Sequence, residues 1–349
     1  MAEWTCNLDN LVSTLKQFGV AIVPNILDAK ECKALEDGLW DHFDYICSAG
    51  PTLKRGDPTT WKKALQGTLM PNHGMLCQFH NVGQCQAVWD IRGNPRVQAG
   101  YHRIFPKANG KLTVSFDGVS FGLAPEHTGI GWHTKNWLHC DQGWGKMAKT
   151  RVLGKRRAVQ SWVTAFDIGE GDGTLQVLVG SHKFHKEFAR VFHKEEHSVD
   201  WYKLEEKEVR WFVEEKGCHL RNIECPAGSQ VFWDSRTIHA GRAPLRGRQN
   251  TGRNRFVVYI CYSPRNWLSA KFAAKKRDYL QQGRMTSHWA HWPKLFAKTP
   301  RTYGKPLPPC PPFRPPQLTV EQLLLAGHTV ETAKEWLRPA DTVGESESG

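Results

Sequence analysis

Residues 226–239 read Pro-Ala-Gly-Ser-Gln-Val-Phe-Trp-Asp-Ser-Arg-Thr-Ile-His, a turn followed by a strand and then a histidine at the strand's exit. The Pro-Ala-Gly-Ser stretch favours the turn, and the apolar run that ends at Trp233 favours β structure. A histidine at the end of a strand can reach a metal ion held at the edge of a sheet. The stretch therefore makes His239 a candidate ligand.

The segment Leu138-His139-Cys140-Asp141-Gln142 supplies two more candidate ligands. His139 and Asp141 are two residues apart, so on an extended backbone both side chains leave the same face. With His239 they would form the facial triad of two histidines and one carboxylate, which leaves coordination positions of Fe(II) open for a cosubstrate and oxygen. A His-x-Asp triplet is weak evidence by itself in a chain with 16 histidines.

Arg255 strengthens the prediction of an Fe(II) site that also binds a cosubstrate. It comes 16 residues after His239, opens the β-prone run of residues 256–261, and is in phase with the inward-facing positions of that run. A guanidinium there can hold a carboxylate through two parallel hydrogen bonds. The alternative is a solvated arginine within the basic run from Arg242 to Arg255.

The rest of the chain predicts a mainly β fold with added helices (α+β). Asp28, a candidate N-cap with Glu31 in the capping-box position, predicts a helix after a first strand. Residues 50–83, rich in Gly, Pro and Asn, predict an irregular connection. Residues 184–216, with mixed charge and interleaved aromatics, predict a helical excursion across the sheet. Further β-prone runs separated by Gly-rich turns lie at residues 112–116, 158–166, 175–178 and 256–262.

The C-terminal part has a different composition. Residues 306–316 contain seven prolines, which exclude helix and favour an extended linker. The expected division is therefore a domain over residues 1–300, a proline-rich linker over 301–318, and a short helical appendage with a polar tail over 319–349.

Bulk composition bounds the class of protein. The chain has 349 residues, 47 Lys and Arg against 34 Asp and Glu, and a formal charge of +13, which favours anionic partners without identifying one. The ten cysteines are scattered without CxxC pairs, and the chain shows no signal-peptide pattern and no long apolar run. These features predict a soluble, intracellular protein without membrane association, and the cytoplasm is the expected compartment. The oligomeric state is left open.

A series of motifs between about Leu11 and Tyr262 resembles the phytanoyl-CoA dioxygenase family of Fe(II)- and 2-oxoglutarate-dependent oxygenases. In the family's own patterns and in chain order, they are FGVVVVPNVL at residues 18–27, LHxDQ at 138–142, NGxLxVxPGSHK at 171–183 and PAGSxVxWDSRxxH at 226–239. Val179 stands where the family usually has proline, a departure that affects a turn and not a ligand.

The resemblance implies a double-stranded β-helix, a cupin-like jelly roll with buttressing helices and a site inside the barrel mouth. It implies Fe(II) held by His139, Asp141 and His239, with 2-oxoglutarate as cosubstrate and O2 as oxidant. Arg255 falls where the family's cosubstrate arginine begins its strand, and Trp162 matches a tryptophan of the cosubstrate region; the alternative for Trp162 is simple core packing. In related halogenases a small residue replaces the carboxylate, so Asp141 favours hydroxylation with release of succinate and CO2.

The substrate is open at this stage. Six positive charges within residues 146–157, directly after the metal motif, suggest an anionic small molecule, and a solvated basic loop is an equally good explanation. Two alternatives remain: the same chemistry on nucleic acid or protein, and a catalytically inactive jelly-roll binding module. The chain has no RNA-binding signature or zinc-finger spacing to support the nucleic-acid alternative.

Overall fold

Antiparallel sheets form the centre of the molecule in a computed structural model that describes residues 2–70, 76–132, 137–145 and 158–338. Every pair formed between the strands named below is antiparallel. The strands are β1 (Val20–Val23), β2 (Leu76–Cys77), β3 (Leu112–Val114), β4 (Val119–Gly122), β5 (His139–Cys140), β6 (Val159–Thr164), β7 (Thr174–Val179), β8 (Tyr202–Lys203), β9 (His219–Asn222), β10 (Gln230–Asp234), β11 (His239–Arg242), β12 (Arg255–Ile260) and β13 (Tyr262–Pro264).

The large sheet has the order β1-β10-β6-β12-β4-β2 and the small sheet the order β8-β5-β11-β7-β9, while β13 pairs with β3. Along the chain, β5, β6 and β7 alternate between the small and the large sheet, and β10, β11 and β12 alternate between the large and the small sheet. This alternation between two facing antiparallel sheets is the jelly-roll arrangement. The predicted double-stranded β-helix within an α+β fold is confirmed.

The two faces of the large sheet pack against different neighbours because successive side chains point to opposite sides. In β10, Phe232 joins the core beneath the helices, whereas Val231 and Trp233 join a second core between the sheets. In β12, Val258 and Val257 divide in the same way. The inner face of the large sheet is therefore the side on which a site between the sheets can form.

A layer of helices covers the outer face of the large sheet. The longest, Ala29–Ile46, begins at the predicted capping box, in which Asp28 accepts from the Glu31 backbone and Glu31 accepts from that of Asp28. Its Phe43 packs on Phe121 of β4 with ring centroids 4.2 Å apart. Burying one such side chain contributes about 2 kcal/mol. The other helices on or near this layer are Leu11–Phe18, Trp61–Ala64, Gln86–Gly93, Pro95–Ile104, Pro125–Thr128 and Ala270–Gln281.

The predicted irregular connection at residues 50–83 contains more structure than expected. The helix Trp61–Ala64 continues as a π-helical turn over Leu65–Leu69. Leu65 and Leu69 are fully buried in the core beneath the helices. Tertiary burial thus stabilises a short helical segment that lacks strong local propensity.

The predicted excursion at residues 184–216 packs on the outer face of the small sheet. It includes the helices His185–Val191 and Glu206–Arg210. Phe188 and Phe212 from this segment share a separate apolar cluster with Leu178 of β7. The small sheet is thereby held between the excursion on one side and the large sheet on the other.

His185, within this excursion, makes the stability of the protein sensitive to acid. Burial lowers its pKa to about 4 from 6.5. The unfolded chain therefore takes up a proton as the pH falls through 6.5 while the folded chain does not, so folding stability is lost between pH 6.5 and 4. Between pH 7 and pH 4, the free energy of unfolding should fall by about 3 kcal/mol more in the wild type than in the His185→Gln variant. Urea unfolding of metal-free protein measures this.

A matched control is His219→Gln, since His219 is an exposed histidine on β9. It should leave the pH dependence of the unfolding free energy equal to that of the wild type. Equal pH dependence in wild type and His185→Gln would contradict the burial argument.

The proline-rich segment 306–316 has no helix or strand, and the helices Val320–Ala326 and Val330–Trp336 follow it. Tyr45 donates to the Pro312 carbonyl at 2.9 Å, so the segment lies against the helical layer. Leu323 is fully buried in the same core as that layer. The C-terminal helices thus share the main core, and the division into domain, linker and appendage stays a prediction.

Among the described residues, no helix combines the length and apolarity needed to span a bilayer.

Candidate metal centre

His139, Asp141 and His239 meet at the inner face of the small sheet. His139 of β5 pairs directly with His239 of β11, and their ring centroids lie 4.4 Å apart. Asp141 Oδ2 lies 3.3 Å from His239 Nε2 and 3.8 Å from His139 Nε2. One donor atom from each residue can be chosen so that all three lie within 4.8 Å of one another. The three side chains can therefore hold a single ion.

Backbone hydrogen bonds fix the two segments that carry these ligands. Asp141 N donates to Ser235 O at 2.9 Å, which ties the first segment to the turn before β11. In that turn, Thr237 Oγ1 donates to Gly19 O and Ile238 N donates to Ser181 Oγ, both at 2.9 Å. Residues far apart in the chain thus hold the ligands in place before any ion binds.

The hydrogen bonds of both imidazoles set the tautomer that a metal requires. His139 Nδ1 lies 2.8 Å from the Trp137 carbonyl oxygen, and His239 Nδ1 lies 2.8 Å from the Thr237 carbonyl oxygen. A carbonyl oxygen only accepts, so each Nδ1 carries the proton and donates. Nε2 is then the ring nitrogen left to bind a metal, and in both histidines it lies beside Asp141 Oδ2, as in histidine ligands held by a backbone carbonyl.

Gln160 orients the carboxylate. Its Nε2 donates to Asp141 Oδ2 at 2.8 Å from the inner face of β6. A hydrogen bond of this kind fixes the ligand's orientation and tunes its affinity for the metal. Sequence reasoning did not identify Gln160. It lies two residues before Trp162 on the same predicted strand, so the strand period would have placed both side chains on one face.

The protonation states match those of a metal site. Burial lowers the pKa of His139 to about 4, with His239 contributing in the same direction, so the imidazole is neutral at neutral pH. Burial alone would raise the pKa of Asp141, but the neighbouring His139 and His288 outweigh it and hold that pKa well below its ordinary value. Neutral imidazoles and an ionised carboxylate are the forms that bind metal ions.

Several aromatic residues that sequence reasoning did not assign to the site surround the histidines. Trp137 stacks on His139 with centroids 4.8 Å apart, and Trp201 lies 5.7 Å from the same ring. Trp233 lies 5.5 Å from the His239 ring. These rings limit the access of water to the ligands. Of the three, only Trp233 could have been placed from the sequence, because the two-residue alternation of β10 puts it on the same face as Val231.

Arg255 is a buried guanidinium with unused donors. Its side chain starts on the inner face of β12, is 7% exposed, and has no hydrogen-bond partner for Nε or Nη1 among the described residues. Leaving a buried charge uncompensated is unfavourable, so an anion bound here would be stabilised. The donor geometry of a guanidinium fits a carboxylate, and the role of Arg255 in holding the cosubstrate stays a prediction.

Trp162 lies next to this arginine. It is fully buried between the sheets, and the Arg255 guanidinium carbon lies 5.8 Å from its ring centroid. The ring thus belongs to the core and also borders Arg255, and its place in the cosubstrate region stays a prediction. Because Gln160 and Trp162 leave the same face of β6, this strand links the triad to the arginine.

The basic stretch at residues 146–157, the basis of the anionic-substrate hypothesis, lies outside the described residues.

The comparisons with known proteins agree with this geometry. The model of the phytanoyl-CoA dioxygenase (PhyH) family matches residues 15–245. The chain belongs to the phytanoyl-CoA dioxygenase family. The resemblance of the motifs is thereby confirmed. The PhyH chemistry that it implies uses iron and 2-oxoglutarate. The donor set of the triad fits iron, and the unused donors of Arg255 fit 2-oxoglutarate.

This PhyH-family chain is similar to the following proteins at low sequence identity. It is 27% identical over 220 residues to "Ava biosynthesis cluster protein O" of Aspergillus versicolor, a match that covers 61% of this chain and 66% of that protein, just under two thirds of its length. The solved structure of GlcNAc Inducible Gene 2 from Candida albicans is 13% identical, with a TM-score of 0.52, over 79% of this chain and 70% of that one. The epimerase SnoN from nogalamycin biosynthesis is 16% identical, with a TM-score of 0.40, over 73% and 82% of the two chains.

Proposed function

We propose that this protein is an Fe(II)- and 2-oxoglutarate-dependent dioxygenase that hydroxylates a small organic substrate and releases succinate and CO2. The observation that carries the proposal is the convergence of His139 Nε2, His239 Nε2 and Asp141 Oδ2 in a buried site. Two histidines and one carboxylate suit Fe(II) with positions left open for a cosubstrate and oxygen. Iron bound there supplies the oxidation chemistry.

The protein's own residues would bind and orient the other reactants. Arg255 would hold the distal carboxylate of 2-oxoglutarate through its unpaired donors, and Trp162 would form the wall beside it. Gln160 would keep Asp141 in a ligating orientation. Burial between the two sheets excludes water, which protects a reactive site from side reactions.

Asp141 supports hydroxylation as the outcome. Its carboxylate would occupy the third ligand position, which in the related halogenases is taken by a halide beside a small residue. An anionic group on the substrate would agree with the formal charge of +13.

Anaerobic addition of Fe(II) and then 2-oxoglutarate tests the proposal. We expect a weak visible charge-transfer band from the chelate, followed by slow uncoupled formation of succinate when air is admitted. His219→Ala, a change of an exposed histidine outside the triad, should give the same band. A wild-type protein that shows no band and forms no succinate would refute the assignment and favour an inactive jelly-roll binding module.

Gln160→Leu should weaken Fe(II) binding by about 10- to 100-fold, because the Asp141 carboxylate loses the donor that orients it. Anaerobic calorimetry with Fe(II) measures the change in Kd. The matched control is Gln176→Leu, since Gln176 bonds to Asn222 on the other face of the small sheet. An unchanged Kd in Gln160→Leu would show that the hydrogen bond has no part in metal binding.

A further inference from the structure

Trp201 is an exposed aromatic residue beside a buried metal ligand. Among the residues that the structure describes, it and Tyr303 are the only exposed Trp, Tyr or Phe side chains, at 46% and 81%. Tyr303 lies near the proline-rich segment, whereas the Trp201 ring tilts over that of His139 at 5.7 Å. A tryptophan offers a large apolar face and one polar N–H, and such side chains are common anchors in binding sites.

Strand register places Trp201 on the side of the site. In the pairing of β8 with β5, Lys203 lies directly opposite His139, and Tyr202 lies opposite Cys140. Residues opposite each other share a face, and residues two apart share a face. Lys203 and Trp201 therefore leave the sheet on the same side as His139.

The residues that flank Trp201 are fixed. Tyr202 points the other way, packs against the apolar cluster of the excursion, and donates from Oη to the buried Glu208 at 2.7 Å. Asp200 Oδ1 accepts from Gly143 N at 3.3 Å. Because the side chains on both sides of it are held, Trp201 presents its ring without a large ordering cost on binding.

Lys203 adds a positive charge to this edge. It is exposed, and no carboxylate of the described part of the chain lies within ion-pair distance of its Nζ. A solvated lysine costs little by itself. Its place two residues from Trp201 puts a charge at one end of an aromatic surface.

We propose that Trp201 and Lys203 form the substrate-recognition rim of the metal site, which takes a flat unsaturated ring system bearing an anionic substituent. The ring would stack on Trp201, and the anionic group would meet Lys203, so that the edge of the ring faces the triad. This proposal rests on the proposed function, because it specifies the substrate class of the same site.

Binding of small probes to the protein loaded with Fe(II) and saturating 2-oxoglutarate, measured by anaerobic calorimetry, tests the rim. The probes are 2-naphthoate, its saturated counterpart decalin-2-carboxylate, and the neutral 2-naphthylmethanol. Saturating 2-oxoglutarate prevents the carboxylate probes from binding at Arg255. We expect the wild type to bind 2-naphthoate about 10-fold more tightly than either of the other two.

Variants separate the two contributions. Trp201→Ala should abolish the preference for naphthoate over the saturated probe, and Trp201→Phe should retain most of it. Lys203→Met should abolish only the preference for naphthoate over the alcohol. Tyr303→Ala, which changes the other exposed aromatic, should bind all three as the wild type does.

Equal affinity of the wild type for flat and saturated probes, or an unchanged naphthoate Kd in Trp201→Ala, would overturn the proposal. The visible band of the chelate, recorded in every variant, distinguishes this failure from failure of the oxygenase assignment. A normal band with no ring preference rejects the rim alone. If the wild type shows no band, 2-naphthoate and decalin-2-carboxylate are compared on metal-free wild type and metal-free Trp201→Ala, which still tests the rim because any binding at Arg255 is the same in both proteins.

Discussion

We expect Asp141→Ala to abolish the visible Fe(II) and 2-oxoglutarate band and to raise the Kd for Fe(II) by at least about 100-fold. Loss of a residue that only orients a ligand costs up to about that much, so loss of a ligand should cost at least as much. Two reasons support an effect this large. Asp141 is the one carboxylate of the triad, and its Oδ2 lies 3.3 Å from His239 Nε2. Without it, the charge of Fe(II) would be met only by two neutral imidazoles in a buried site. Succinate formation should fall to background.

His139→Ala should behave in the same way, because it removes one of two imidazoles whose tautomer the backbone has already set. Circular dichroism and the unfolding midpoint, measured without metal, check that each variant is folded. His219→Ala serves as the matched histidine control. Iron-dependent succinate formation at the wild-type rate in Asp141→Ala would show that the metal is bound elsewhere.

Arg255→Met separates cosubstrate binding from metal binding. We expect the KM for 2-oxoglutarate to rise by about 100-fold or more, in keeping with the loss of one partner from a buried ion pair. The Kd for Fe(II) should stay within about twofold, because a change that spares the triad and Gln160 leaves the metal's ligands in place. Succinate formation at varied 2-oxoglutarate and calorimetry with Fe(II) alone provide the two measurements.

The same substitution should affect stability in the opposite sense. In the absence of 2-oxoglutarate, Arg255 has donors without partners in the described chain, so methionine should leave the unfolding midpoint unchanged or higher. Added 2-oxoglutarate should raise the midpoint of the iron-loaded wild type and not that of Arg255→Met. Arg221→Met, at an exposed arginine of β9, is the control. Equal stabilisation of both proteins by 2-oxoglutarate would place the cosubstrate away from Arg255.

Much of the framework was predictable because its signals are local. The capping box at Asp28 needs only Glu31 three residues later, and the alternation in β10 and β12 is a two-residue pattern. Burial of Leu65 and Leu323 was not predictable, since both lie on short helical segments that become stable only by packing against distant residues. Local propensity contains no information about such partners.

The sequence alone determined which side chains could serve as metal and carboxylate donors. A strand has a fixed period of two, so the sequence predicts which side chains face inward. The signals are the two-residue spacing of His139 and Asp141, the turn and strand before His239, and the phase of Arg255. The amino-acid types then limit what those side chains can bind.

Only the tertiary structure decided what surrounds the donors. Gln160 reaches Asp141 from the opposite sheet, and Trp201 reaches His139 through the register of β8 with β5. His288, well beyond the residues that match the family model, is one of the groups that lower the pKa of Asp141. Register between strands is set by long-range packing and by the turns that join them, so contacts across the two sheets cannot be derived from spacing along one strand.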